Sequence, residues 1–497
     1  MRRLIILLIL VARLRRPELR SAITWVRKMY PGKQLSVRLG RFAWWALRTM
    51  WKTIPDALSW MQYDRPVSRT PLWLEDENPL LDHPWRAQPQ ATLPAAAEVV
   101  VIGAGFVGAG AAYHWSKHAG SGRHGPAKMV VLEMHDAASG AGGRNAGYVT
   151  RGRYYHFVHG TVLAHLRRTR HDLAAPQRLA LAHDYARTYV RAGERSAELI
   201  EQTVVNERID CGYAKRGWVW ATDEESKGKP LAAQQMGAAA GFTDWVRINA
   251  AEAMQRAGIH TGYDAGYSQG TATWHPAKWI WGLLRVALRT PHVELFTRTR
   301  VTAVEDAGET YQVKTERGTI AARYVINATE SHTAQLFKEL RGANVPYQTQ
   351  AAWGPSVGGT MKAGVGISSP QMFFGGVRGG VLFGSDLSPV SAAEAGQNRP
   401  SRFVSHYVAG SLRRFFSIER LRVTNEWSGT VGIAPDEYPL IGLMDDKRLY
   451  MVGGLAGSGS GVSFLATQWV VFQILGKDCP DYYPQQYFSP RRFQQRR

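Results

Sequence analysis

Cysteine is nearly absent: Cys211 and Cys479 are the only two in 497 residues, and they lie far apart. That argues against a disulfide framework and a cysteine-built zinc site, and it favours a reducing compartment. No metal-ligand spacing and no Ser-His-Asp set stands out, so a metal centre or a serine-type hydrolase is not expected. Long apolar runs are missing too. The run near the start, Leu4 to Ala12, has nine residues, and a bilayer span takes about 20. Internal repeats are absent, which excludes solenoids and propellers. Acids are scarce at one end: residues 1–55 hold thirteen Lys or Arg against one acid, Glu18.

That imbalance accounts for more than half of the net charge of +21. Trp25, Tyr30, Phe42, Trp44, Trp45, Trp51, Trp60 and Tyr63 are interleaved with the basic residues. Basic and aromatic residues together suit a headgroup interface or a partner's groove. Residues 1–62 are therefore read as an extension for docking on a membrane surface or a multi-subunit membrane complex, the partner contacts running through residue 95. Wrapping over its own body is the alternative. The basic flanks of Leu4 to Ala12 resemble a signal peptide or organelle presequence. No small-residue cleavage site follows, and the segment is read as retained. Nucleic acid is not the expected partner, because the excess charge lies in the extension, away from the body.

The remaining chain is ordinary for a globular protein, with 45% hydrophobic and 20% charged residues, and it is rich in glycine, with 50. Residues 63–96 hold Pro66, Pro71, Pro79, Pro84, Pro89 and Pro94 among acids and predict an extended linker. The apolar run Glu98 to Ile102 then predicts a buried strand, and the small residues Ala109 to Trp115 a helix. Met129 to Leu132 predicts a second strand. Residues 160–205 read as helical, 213–225 and 268–275 as short strands, and Lys278 to Leu288 as an amphipathic helix. Strand-like runs follow at Val293 to Gly308, Tyr311 to Thr315 and Thr319 to Ala328, then alternating antiparallel strands over 345–390. A helical patch near 401–418, a strand at Arg422 to Glu426 and a helix over 462–476 complete the pattern.

Gly103-Ala-Gly105-Phe106-Val107-Gly108 sits where the first strand meets the helix. There the first glycine permits a tight turn, the second admits a pyrophosphate, and the third lets helix pack on strand. Glu133 ends the next strand, thirty residues on, placed to accept ribose hydroxyls. An acid there favours a free 2′-hydroxyl, hence FAD or NAD.

The stretch Ala138 to Tyr148, with Ser139, Arg144, Asn145, Ala146 and Gly147, resembles the flavin loop of the glycine oxidase, sarcosine oxidase and γ-glutamylputrescine oxidase family. Ile209 to Tyr213, Gly217 to Ala221, Gly270 to Pro276, Thr299 to Val301, and Val325 to Thr329 resemble successive segments of that family. So do Trp427 to Gly442 and the cluster Gly453 to Gly459. The similarity covers about residues 97–476. It implies an α/β fold: a Rossmann-type FAD-binding domain built from 97–160, 265–335 and 420–476. A mixed or antiparallel-sheet substrate domain would take 161–264 and 336–419, and 477–497 a basic tail.

The resemblance further implies cofactor contacts at Val301, Ala328, Thr329, Gly429, Gly454, Gly457, Ser458 and Gly459. Gly429 stands where covalent-flavin members carry cysteine, so the FAD is expected to be non-covalent. Leu382 stands where sarcosine oxidases carry an oxygen-activating lysine, and Thr329-Glu330 replaces the usual glycine. For a substrate carboxylate, Arg378 is the candidate clamp, with Tyr347 and Lys362 in the same lobe.

The expected activity is hydride transfer from a C–N bond of a small amine or amino acid to FAD. Two other readings stay open. One is an FAD-binding accessory subunit of a respiratory complex (complex I-associated) with little turnover. The other is a tRNA-modifying oxidase, which the family also contains. The expected location is the mitochondrial inner membrane, with the cytoplasm as the alternative.

Overall fold

The structure is a computed structural model that describes residues 34–81, 92–119, 127–370 and 372–493. Leu4 to Ala12, Trp25 and Tyr30 lie outside these residues.

Ala96–Ile102 forms the expected buried strand, with Val99, Val100 and Val101 fully enclosed. Parallel neighbours on both sides, Met129–Leu132 and Gly318–Asn327, account for its unbroken apolar run. The sheet continues through Val293–Phe296 on one side and Tyr311–Thr315 and Val301–Asp306 on the other. Val325 to Asn327 also pair in parallel with Leu449–Gly453. Helix Phe106–His118 packs against this sheet, with helices Pro276–Ala287 and Gly459–Leu475 against it in turn. The last of these is apolar on nearly all sides because it is enclosed, with ten residues buried.

A second sheet of nine strands runs from Met61–Ser68 through Arg420–Ile433, Val345–Val357, Gly380–Pro389, Met372–Val377 and Gly366–Ser369. It ends with Trp218–Trp220, Ala265–Ser268 and Trp245–Ile248. One face, with Ala351, Leu382 and Trp427, meets the loop after Ala138 through Trp427, whose Nε1 donates to Arg144 O at 2.9 Å. The other packs on helix Arg402–Phe416 through Val381, Phe383 and Val423.

The structure corrects one sequence expectation and refines two others. The segment expected as an extended linker is in part a strand: Met61–Ser68 pairs in parallel with Arg420–Ile433. Pro66 is tolerated because this strand lies at the sheet's edge. The helical stretch 160–205 is two helices, Tyr155–Thr169 and Ala175–Asn206, and Pro176 begins the second in the first turn, where its missing N–H costs nothing. Part of the extension packs on the protein itself. Helix Leu35–Arg48 passes through a π turn into helix Ile54–Trp60, which buries Ile54, Ala57 and Trp60. Gly410 makes room for this packing, since a Cβ there would lie 2.3 Å from Thr53 Cγ2. Among the described residues, no helix is long and apolar enough to cross a membrane.

Candidate functional site

The glycine turn is built by close backbone contacts. Gly103 has φ +113°, and a Cβ there would lie 2.7 Å from the Ala328 carbonyl oxygen. A Cβ on Gly108 would lie 1.8 Å from the Gly103 carbonyl oxygen. The protein itself thus requires the first and third glycines. Gly105 differs: its φ of −87° suits any residue, and a Cβ would meet nothing within 4 Å. Open space at that position is what a pyrophosphate drawn against the backbone would need. No side chain caps helix Phe106–His118 and no acid lies in its first turn, so its N–H groups remain for an anion. Phe106 and Val107 open that helix.

Glu133 closes the neighbouring strand and is held by two backbone donors. Its Oε2 accepts from Ala104 N and its Oε1 from His135 N, both at 2.9 Å. Burial pushes its carboxyl above the ordinary value, and these donors pull it back. Each oxygen keeps a lone pair for a ribose hydroxyl. Thr299 N donates to the Glu133 carbonyl at 2.8 Å, two residues before Val301.

The loop after Glu133 is locked internally. Arg144 Nε donates to Ser139 O at 2.7 Å and its Nη1 to Ser428 O at 3.2 Å. Asn145 Nδ2 donates to Gly142 O at 2.6 Å, and Gly147 N donates to Asn145 Oδ1 at 2.7 Å. Ala146 lies between them. Gly429 faces Arg144, its Cβ position 3.4 Å from Arg144 Cβ. Gly454 and Gly457 take left-handed backbone, and Ser458 precedes helix Gly459–Leu475 with its N–H groups uncapped. A Cβ on Gly459 would lie 4.0 Å from Phe106 Cδ2, which places the two helix N-termini side by side.

Glu330 follows Ala328 and Thr329 at φ +49°, a glycine-like backbone. Its carboxylate accepts from Leu455 N at 3.0 Å and from Gly432 N, pinning the glycine cluster to the sheet. Burial pushes this carboxyl up to about 7. The departure from glycine noted in the sequence therefore acts as a tie between strand Arg420–Ile433 and the glycine cluster.

The three substrate candidates do not converge. Arg378 occupies the turn between two sheet strands at φ +53° and pairs with Asp76 at 2.7 Å. Tyr347 is half-buried, opposite Val431. Lys362 is exposed and donates to Gln255 O.

The reading of the linker as a mere connector missed a contributor. Leu72 and Trp73 are buried, and Trp73 Nε1 donates to Asn145 O at 2.7 Å. Leu74 meets Gly143. Asp76 then draws together Arg378, Lys278 at 3.2 Å and His275 at 3.3 Å. Burial opposes its charge, but hydrogen bonds from Lys278 and Arg378 outweigh it and hold the carboxyl below its ordinary value. The visible signal was the apolar triplet Leu72 to Leu74 inside a Pro- and acid-rich stretch. His275 is a helix N-cap, its Nδ1 accepting from Lys278 N at 3.1 Å.

The model of the FAD dependent oxidoreductase (DAO) family matches residues 98–472. The chain belongs to this family. Glycine oxidase from Geobacillus kaustophilus shares its fold at TM-score 0.63 and 17% identity, over 80% of this chain and 99% of that one. L-Proline dehydrogenase from P. horikoshii matches at 0.63 and 18%, over 81% and 99%. L-Amino acid deaminase from Proteus vulgaris, lacking its specific insertion, matches at 0.59 and 20%, over 81% and 95%. No curated protein sequence matches the chain. The FAD-dependent oxidoreductase thus extends beyond its family match at the N-terminal side. The segment Leu72 to Asp76, which braces the loop Ser139 to Gly147, lies in that extension.

Proposed function

We propose that this oxidoreductase takes a hydride from the carbon beside the nitrogen of a small amine or amino acid and delivers it to non-covalent FAD. The carrying observation is the convergence of Gly105, Glu133, the loop Ser139 to Gly147, Gly429 and Gly454 to Gly459 under an apolar sheet face. FAD, when bound, supplies the two-electron acceptor. The chain's own residues would do the rest. Gly105 and the uncapped N–H groups behind it would take the pyrophosphate, and Glu133 the ribose. The positive end of helix Gly459–Leu475 would favour negative charge on the neighbouring ring. Ala351 and Leu382 would exclude water from the reacting carbon, and orientation rather than acid–base machinery would supply the rate. Support for the amine class comes from the neighbours, whose names are an oxidase, a dehydrogenase and a deaminase of amino acids. Glycine at 429, where a cysteine would be needed for attachment, supports non-covalent binding.

The test is an anaerobic absorption spectrum of the natively purified protein, before and after a panel of N-methyl and primary amino acids. Bleaching of the oxidised flavin band by one of them is the expected result. A flavin-loaded protein that no amine or amino acid reduces would overturn the reading, and so would flavin that stays with the chain after denaturation.

A further inference from the structure

Helix Leu35–Arg48 carries a surface that the fold does not use, for none of its residues is buried. At 100° per residue, Leu35, Leu39, Leu47, Trp44 and Val37 fall within an arc of about 200°, and Trp51 extends this apolar half into the π turn. Trp44 is 65% exposed, Trp51 68% and Leu39 58%. The other half carries Arg38, Arg41, Arg48 and Lys52, together with Trp45. That half leans on the body: Trp45 Nε1 donates to Tyr407 Oη at 3.2 Å, and Arg41 lies 3.6 Å from Glu225. The contact fixes the helix's rotation, so the apolar half faces away from the protein.

Three observations identify what covers that half. The helix and the turn after it contain no acid, so nothing on them repels phosphate. The helix and turn carry Arg38, Arg41, Arg48 and Lys52, a local excess of positive charge that draws anionic surfaces. Leucines and tryptophans on one half with arginines on the other is the composition of a helix lying in a lipid interface. Among the described residues no helix can span a bilayer, so contact would be in the plane of the surface.

We propose that Leu35 to Trp51 lies in the headgroup region of a membrane containing anionic phospholipid, seating Trp44, Trp51, Leu39 and Leu47 below the phosphates and holding the flavin domain at the surface. This does not depend on the reaction the enzyme catalyses. The test uses the full-length protein and sedimentation with vesicles, either phosphatidylcholine alone or with roughly a third phosphatidylglycerol. The protein should pellet with the anionic vesicles, bind neutral ones more weakly, and be released in part by salt. Its indole emission should shift to the blue. Trp44→Ser with Trp51→Ser should lower vesicle affinity roughly tenfold or more while flavin content and melting temperature stay unchanged, because both side chains are exposed. Wild-type protein that stays in the supernatant with both vesicles overturns the proposal. So does undiminished binding by the double variant, which would place lipid contact elsewhere, for instance in residues 1–33. A wild-type dimer that this variant turns into a monomer, with vesicle binding the same, would assign the face to a second copy.

Discussion

Gly105 and Gly108 sit three residues apart and should fail differently if given side chains. A Cβ on Gly108 would run into the Gly103 carbonyl at 1.8 Å, with no flexible group to yield. Gly108→Ala should therefore destabilise the fold itself, by about 3 kcal/mol or more. Gly105→Ala places its Cβ where no protein atom lies within 4 Å, at a φ of −87° open to side chains. It should leave the melting temperature of the flavin-free protein within a degree or two, roughly what a harmless surface change does. Its flavin content after dialysis should collapse. Equal losses of stability in both variants would contradict the assignment of that space to the cofactor. Glu330 sets a pH dependence. Its folded carboxyl titrates near 7 against an ordinary 4.5, so the folded state holds the proton more tightly than the unfolded one. Stability from this group is complete below about pH 4.5 and falls as the pH rises towards about 7, by roughly 3 kcal/mol at most. Glu330→Gln should flatten that part of the melting-temperature profile. Gly103, Glu133 and Gly147 were legible because each belongs to a short motif, although the contacts that crowd Gly103 and Gly147 come from Ala328 and Trp274, remote in the chain. The role of Glu330 was not, since its partners Gly432 and Leu455 lie more than a hundred residues away.

Among the elements, the brace from Leu72 to Asp76 is the one whose removal should spread furthest. Trp73 is buried against Gly147 and His275 and holds the Asn145 carbonyl. Trp73→Ala should cost about 3–5 kcal/mol, as large-to-small changes at buried aromatics do. It should also loosen flavin, because the loop it braces is the one expected beneath the ring. Thermal unfolding and flavin release measured together check this; full flavin retention at the lower stability would confine the brace to a structural role. Sequence periodicity found the central strand, the helix behind it and the final helix, because their patterns are local and strong. It left 226–267 unassigned, although Asn249 and Glu252 form a reciprocal cap that begins helix Ala250–Ala257. It did not register Met61–Ser68 as a strand, because Pro66 and a weak alternation hide it. Only pairing with Arg420–Ile433 makes it one.

At the scale of the whole molecule, two sheets and the helices between them enclose the flavin loop. The Pro-rich segment contributes to that enclosure through Leu72 and Trp73, while the end of the basic extension, Ala57 to Met61, packs on the far face of the second sheet; helix Leu35–Arg48 before it presents an apolar face outward. Sequence alone determined the dinucleotide-type turn, the acid that follows it, the family and the charge asymmetry. Each of these is written in residues close together in the chain, or in simple counts. Tertiary structure alone decided that a Pro-rich stretch becomes an edge strand and a brace, that Arg378 is engaged by Asp76, and that Glu330 ties the glycine cluster down. It also decided which half of helix Leu35–Arg48 faces away from the protein. Each of these is a contact between segments remote in sequence, and single-chain periodicity holds no record of which remote partner a side chain will meet.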